Sequence, residues 1–402
     1  MSGRPLADAA FWGRAGLVDL LALLNRDGEE ARVVGGAVRN TLLGLEVSDV
    51  DIATTARPDV VVARVAAAGL KAVPTGIEHG TVTVVVAHHT FEVTTLREDT
   101  ETDGRRAVVR FGRSWLHDAE RRDFTINALY ATAAGEVVDL VGGLADLACR
   151  RVRFIGDADA RIREDYLRVL RLFRFHAFYG AGGVDGAALA AAVRGRVGLL
   201  GLSRERVRAE LLKLLLAPGA APTLAVMSDC GLIQPLLAGI ADAGLFARLA
   251  AAEARHGVAA DAVRRLGALA LRVPDDAERL REKLRLSNAE ARRLAALAPP
   301  LSGPADAAAV RRLIYGAGAG AAVDRALLAE ARRGFDAGPV VAMARHWTPP
   351  RLPVKAADLT ARGLTGRALG AALARVEEAW IRADFPENPA QIQALVVRAL
   401  GG

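Results

Sequence analysis

The sequence predicts an α+β fold, a small mixed head followed by an elongated all-helical neck, body and tail. Three observations lead there. Before about residue 145, short β-branched runs alternate with helical periods and Gly-rich turns, whereas after Gly143 the pattern is helical to the end. Hydrophobic residues make up 52% of the chain but aromatics only 5%, so Ala- and Leu-rich helices supply much of the core. A chain of 402 residues is also too long for a single ordinary core. The expected division is a head over residues 1–145, a neck over 146–216, and a body and tail over 217–402.

Taken in order, 17–25 reads as a helix, 31–34 as a strand, 37–43 as a helix and 49–53 as a second strand. Pro58 opens a helix that runs to about Ala68, a favourable place for proline. Residues 81–86 and 91–97 read as a hairpin with a polar tip at His88 and His89. The charged stretch 98–112 shows no apolar period and reads as a mobile loop. Arg161 to Phe178 reads as one strong helix and 204–216 as another. The segment APGAAP at 217–222 marks a joint, and prolines at 274, 299–300 and 349–353 break the helices beyond it.

Charge and cysteine content narrow the function classes. The net charge is +7, and the stretch 151–216 holds thirteen Lys and Arg against seven Asp and Glu, a basic waist suited to a polyanion. Charge runs are also often solvated helix faces. Cys149 and Cys230 form neither a disulfide framework nor a metal knuckle, so no disulfide-linked partner is expected; they read as core thiols in a reducing, cytoplasmic setting. The N-terminus carries Asp8 and Asp19 and does not read as a secretory signal. No run approaches the roughly 18 uncharged apolar residues of a membrane helix, so no membrane partner is expected.

Chemistry concentrates in a few segments. In ARVVGGAVRNTLLG a strand runs into Gly35-Gly36 and then a helix carrying Arg39, which fits either a phosphate site at a helix start or a tight turn with a solvated arginine. SDVDIAT places Asp49 and Asp51 at i and i+2 on a strand, both on one face. Like charges on an apolar strand repel unless a cation lies between them, and Mg²⁺ takes carboxylates together with substrate phosphates. Glu92 in FEVTTLR adds a third acid if its strand neighbours the Asp49 strand, and is otherwise a solvent-facing hairpin residue. Three such acids suit in-line displacement at a phosphoryl centre. No GxGxxG follows the first strand, which argues against a dinucleotide-binding oxidoreductase.

These segments, with RRDFTINALY (121–130), DLVGGLADL (139–147) and REDYLRVLRLFRF (163–175), occur in the order found in class II tRNA nucleotidyltransferases. The chain resembles that family, the CCA-adding enzymes and bacterial poly(A) polymerases of the polymerase-beta-like superfamily, over residues 31–216. A looser similarity lies in VKAADLTARGLTGRALGAALARVEEAW, and no appended His-rich phosphohydrolase motif is visible. The resemblance implies a polymerase-beta-like head that adds C and A nucleotides to the 3′ acceptor end of tRNA from CTP and ATP, releasing pyrophosphate. Residue by residue it implies Gly35, Gly36 and Arg39 on the triphosphate, and Asp49 and Asp51 as metal ligands with Glu92 as the third acid. Asn40 stands where the family usually has Asp.

The resemblance also implies Arg122, Asp123 and Asn127 at the ribose, whereas the residues alone allow an Arg122–Asp123 surface pair. It makes Asp139, Gly142 and Gly143 a hinge. It implies a base template in which Asp165 accepts and Arg168 donates with Glu164 behind it, where helical spacing alone also allows an intrahelical salt bridge. Cytosine and adenine each pair an amino donor with a ring-nitrogen acceptor, whereas guanine and uracil reverse that order, so one acceptor–donor pair selects C and A. Arg171 and Arg174 continue along the helix toward nucleotide or RNA phosphates. A poly(A) polymerase is the nearest alternative, although the last fifty residues lack a strongly basic tail. Adders of A alone or of CC alone, and a catalytically silent RNA-binding protein, are the others.

Overall fold

The β-branched runs of the head pair into one sheet. A computed structural model of the protein, describing residues 6–99, 109–298 and 306–400, divides into two units, residues 1–236 and 237–402. The strands are β1 (Ala31–Val34), β2 (Asp51–Thr54), β3 (Lys71–Gly76), β4 (Thr81–Val86), β5 (His89–Thr95), β6 (Arg97–Asp99), β7 (Val109–Phe111), β8 (Leu129–Ala131) and β9 (Val137–Asp139). Seven of them form a sheet in the order β3-β4-β5-β2-β1-β8-β9, and β6 pairs with β7 alone. In the large sheet β2 and β5 run parallel and the other pairs antiparallel.

Local chemistry explains these elements. β4 alternates, burying Val82, Val84 and Val86, and it joins β5 through Ala87 and His88, both at positive φ, as a two-residue hairpin turn requires. β1 and β2 lie near the sheet's centre and are buried along most of their length, Asp51 at the start of β2 being the exposed position. Helices α1 (Leu17–Leu24), α2 (Gly36–Leu42), α3 (Pro58–Ala67) and α4 (Trp115–Glu120) belong to the head. Gly16 precedes α1 at φ +82°, and a Cβ there would meet Val86 at 2.1 Å.

Beyond the head, the first unit continues through α5 (Gly143–Ala148), α6 (Ala158–Glu164), α7 (Leu167–Tyr179), α8 (Gly186–Arg194), α9 (Arg204–Leu216), α10 (Ala220–Asp229) and α11 (Gln234–Leu237). α7 buries Val169, Leu170, Leu172 and Phe173 completely and packs on α9. Each such side chain contributes roughly 1.5–3 kcal/mol. The second unit is helical: α12 (Ala243–Arg255), α13 (Ala262–Ala270), α14 (Asp275–Leu284), α15 (Asn288–Ala295), α16 (Ala307–Ala317), α17 (Ala319–Arg333), α18 (Gly338–His346), α19 (Ala356–Thr360), α20 (Gly366–Arg382) and α21 (Pro389–Leu400). Among the described residues no helix is long and apolar enough to cross a membrane.

Several expectations are corrected. Asp49 lies before β2 and not on it. Its would-be partner strand β1 ends at Val34, opposite Asp51, and Arg14 takes the carbonyls of Val47 (2.5 Å) and Ser48 (2.7 Å) in place of a ladder. The helix expected over 161–178 is broken at Asp165, which is extended (φ −156°, ψ 107°). Its carboxylate accepts from the Leu167 N–H at 3.0 Å, ending α6 and capping α7. The stretch 98–112 contributes parts of β6 and β7, and its residues 100–108, like Pro299 and Pro300, lie outside those described. Cys149 is exposed and Cys230 half-buried, so neither is a core thiol. Gly143 is pressed against Thr125, where a Cβ would lie 2.3 Å from its carbonyl oxygen. Asp139 accepts from the N–H groups of residues 141 to 144 at 2.9–3.2 Å. The connector is a tight, hydrogen-bonded turn in this conformation.

Candidate active site

The parallel register of β2 and β5 sets Asp51 directly beside Glu92. Loss of solvation in the cleft, then repulsion by Glu92 and Asp49, push the Asp51 carboxyl up to about 6, while Arg122 opposes the shift. Asp49 adds its charge from the preceding loop, where its carboxylate accepts from the Ser48 hydroxyl at 2.9 Å. Ligand atoms of the three acids are not all within 4.8 Å of one another. Carboxylates whose charges repel one another here suit a divalent cation, and the donors are all oxygen.

Gly35 turns β1 into α2 at φ +70°, ψ −114°, a conformation that favours glycine. One turn later the Arg39 guanidinium is buried, 6% exposed, and not solvated. It donates to Asn40 Oδ1 from Nε (3.1 Å) and Nη2 (2.9 Å), to the Tyr179 hydroxyl (2.8 Å) and to Asn127 Oδ1. The Tyr179 ring stacks on it at 4.0 Å. Burial lowers its pKa.

RRDFTINA forms two interlocked pairs. Buried Asp118, which the sequence did not flag, accepts from Arg121 (2.5 and 2.9 Å), Arg122 (2.9 and 3.1 Å) and the Tyr130 hydroxyl (2.9 Å). Asp123 accepts from Arg171 (2.6 and 2.7 Å), Asn127 (3.0 Å) and the Phe124 N–H (2.9 Å). Burial opposes ionisation of both acids, yet their arginines hold both below the ordinary carboxylate range. Arg122 and Asp123 therefore do not pair with each other.

The break between α6 and α7 rearranges the expected template. Glu164 grips Arg168, as helical spacing allows, and also Arg161 at 3.0 Å. Asp165 does not pair with Arg168. From its extended backbone it accepts from Arg206 of α9 at 2.5 Å. Arg174 bonds Glu210 at 2.6 Å behind α7, and Arg171 lies 3.8 Å from the same carboxylate.

A cleft of about 590 Å³ collects most of these groups: Gly35, Gly36, Arg39, Asp51, Glu92, Arg122, Asp123, Asn127, Asp165, Arg168 and Arg171 all line it. Asp49, Glu164 and Arg174 do not. Arg97, Arg121 and Arg206 also line it, giving seven arginines against four carboxylates, a surplus that favours a polyanion. Arg121 stood beside the recognised pair and Arg206 in the basic waist. For Tyr179 and Asp118 the sequence carries no signal, since an apolar helix end and a single acid look ordinary. In the second unit His256, Glu330 and Asp336 also cluster, which His spacing did not reveal, but Arg255 already pairs with Glu330.

Comparison with known proteins follows this geometry. Residues 31–153 match the family described as Poly A polymerase head domain, and residues 198–243 the one described as Probable RNA and SrmB- binding site of polymerase A. The chain is 43% identical over 222 residues to CCA tRNA nucleotidyltransferase 1, mitochondrial, of Danio rerio, covering 54% of this chain and 52% of that protein. It is 43% identical over 221 residues to the CCA-adding enzyme of Leuconostoc citreum, covering 54% and 53%. The chain thus spans about half the length of the curated relatives it matches. The crystal structure of the Bacillus stearothermophilus CCA-adding enzyme in complex with CTP superposes with a TM-score of 0.74 at 27% identity, covering 96% of this chain and 97% of that one.

Proposed function

We propose, for a chain whose residues 31–153 match the Poly A polymerase head domain and 198–243 the probable RNA-binding site of polymerase A, and which is similar over about half its length to CCA-adding enzymes, the addition of C and A nucleotides to a tRNA 3′ end from CTP and ATP. In this reaction the RNA 3′-oxygen bonds to the α-phosphorus of the incoming nucleotide as the bond to pyrophosphate breaks, and the hydroxyl proton is released. The observation that carries this reading is Asp51 beside Glu92 at the foot of an arginine-lined cleft.

Asp49 and Asp51, with Glu92 as the third acid, would hold a divalent cation, Mg²⁺ in our reading. When bound it makes the attacking hydroxyl more acidic and neutralises charge on the departing pyrophosphate. Gly35 and Gly36 let the backbone approach the triphosphate, and Arg39 faces its charge. Arg122, Asp123 and Asn127 form the ribose site, with Asp123 keeping Arg171 in place. Asp165 and Arg168 read the base, Glu164 orienting Arg168, once the base displaces Arg206 from Asp165. Arg171 reaches nucleotide phosphates; Arg174, bonded to Glu210, supports it or meets RNA phosphate. We assign catalysis to residues 1–145, base recognition to 146–216 and tRNA contact to 217–402, in a cytoplasmic protein.

The test supplies tRNA lacking its CCA end with each labelled nucleotide alone, then with CTP and ATP together, and sequences the products. The expected product ends in CCA. Incorporation of GTP or UTP as readily as CTP would overturn the base template. The match to the Poly A polymerase head domain favours a second reading, poly(A) addition, which a long A tail would establish.

A further inference from the structure

Five of the seven arginines that line the cleft pair with acids, Arg121 with Asp118 among them. Arg122 meets Asp118, Arg168 meets Glu164, Arg171 meets Asp123 and Arg206 meets Asp165. Arg39 is buried as deeply as any of them, and among the described residues no carboxylate lies within ion-pair distance of it. All its hydrogen-bond acceptors are neutral: Asn40, Asn127 and Tyr179. Together they engage four of its five N–H groups and leave one on Nη1. Asp123 acts on it only from beyond Asn127, so the buried guanidinium has no counterion in direct contact and is completed by an anion that arrives.

We infer that Asn40 and Tyr179 are positioning residues that hold Arg39 aimed but not neutralised, so that the triphosphate supplies its missing counter-charge. The inference rests on the proposed function for the identity of the anion. Neither residue lines the cleft, so each acts through Arg39. The Asn40 amide is oriented by two opposite bonds, Oδ1 accepting from Arg39 and Nδ2 donating to the Glu46 carbonyl at 2.9 Å. That second bond ties the arginine to the loop entering the Asp49–Asp51 segment, and an aspartate could not make it. Tyr179 comes from the last turn of α7, whose first turn carries Arg168. One helix thus spans both ends of the nucleotide site.

Calorimetric binding of CTP and of inorganic tripolyphosphate to the full chain tests this, with steady-state CTP addition and melting temperature alongside. Asn40→Asp places a carboxylate on Arg39. It is expected to weaken tripolyphosphate and CTP about ten-fold, to raise KM with kcat within about two-fold, and to leave the melting temperature unchanged or higher. Tyr179→Leu is expected to weaken binding similarly, and Tyr179→Phe, which keeps the ring, to restore part of the loss. Unchanged binding in Asn40→Asp and Tyr179→Leu would overturn the inference, as would losses confined to kcat that follow a falling melting temperature. A wild type that binds tripolyphosphate but adds no nucleotide refutes the proposed reaction alone, with Asn40→Asp still deciding the inference; one that binds neither probe overturns both.

Discussion

Two buried arginines, one in each unit, show opposite uses of the same side chain. Arg264 on α13 is 3% exposed and lies between two buried carboxylates, Glu253 of α12 (2.7 Å) and Asp324 of α17 (2.9 Å). Asp324 is shared with Arg293 of α15, which also holds Asp261 at 2.6 Å. Every charge in that network has its counterpart within the protein, and its effect is to lock four helices in register. Arg39 is 6% exposed, and its hydrogen-bond partners are all neutral, with Asp123 acting on it from beyond Asn127. A buried ion completed from within serves structure, whereas one left incomplete is poised for a ligand. The acids divide likewise: Asp118 and Asp123 are satisfied by arginines, and Asp51 faces Glu92.

The largest expected effect breaks the incomplete cluster. Asp49→Ala or Asp51→Ala should cut nucleotide addition by at least about 10²–10³-fold, while tRNA binding, measured by filter retention, persists. Near-normal turnover in either variant would remove the carboxylates from catalysis.

Exchanging the arginines sharpens the contrast. Arg264→Met takes one of two cations from each of the buried acids, leaving Glu253 to Arg265 and Asp324 to Arg293, and should cost about 1–3 kcal/mol in urea unfolding. Arg39→Met strands no charge, so stability should hold while CTP affinity falls about 10–100-fold. Equal destabilisation by both would erase the distinction.

The smallest effect is a pH dependence of opposite sign in the two kinds of acid. Asp118 and Asp123 are held below the ordinary value of 3.8 when folded, so their stabilisation is full above that pH and is lost as pH falls through the lowered values. Asp118→Asn should flatten the acid side of the melting profile. Asp51 is raised to about 6, so in metal-free protein its contribution worsens as pH rises from 3.8 through 6. Asp51→Asn should therefore raise the metal-free melting temperature at pH 7. A fall there would show that Asp51 is satisfied by protein groups.

The legible part of the molecule is the part written in short, contiguous chemistry. Alternation located β4 and the middle of β5, which begins at His89, a residue read as part of the hairpin tip, and ends at Thr95, not at 97; Gly35-Gly36 before an amphipathic stretch located the turn into α2. Where a boundary depended on a partner, sequence misplaced it. Asp49 has the i, i+2 spacing of a strand with Asp51, but β1 offers it no ladder. The 161–178 stretch is helical at every position, yet Asp165 caps the following helix with its own side chain. Short strands such as β8 and β9 went unseen because three residues carry no measurable period.

By itself the sequence determined which residue types are available and in what order: the glycine turn, the acidic pair, the RRDFTINA segment and the basic helices. Those properties are local, set by backbone freedom, periodicity and charge. Tertiary structure alone decided which charges are completed and by whom. Pairing distances reach across as many as 140 residues, as between Arg39 and Tyr179, and the energy of a buried charge depends on neighbours that only folding assembles.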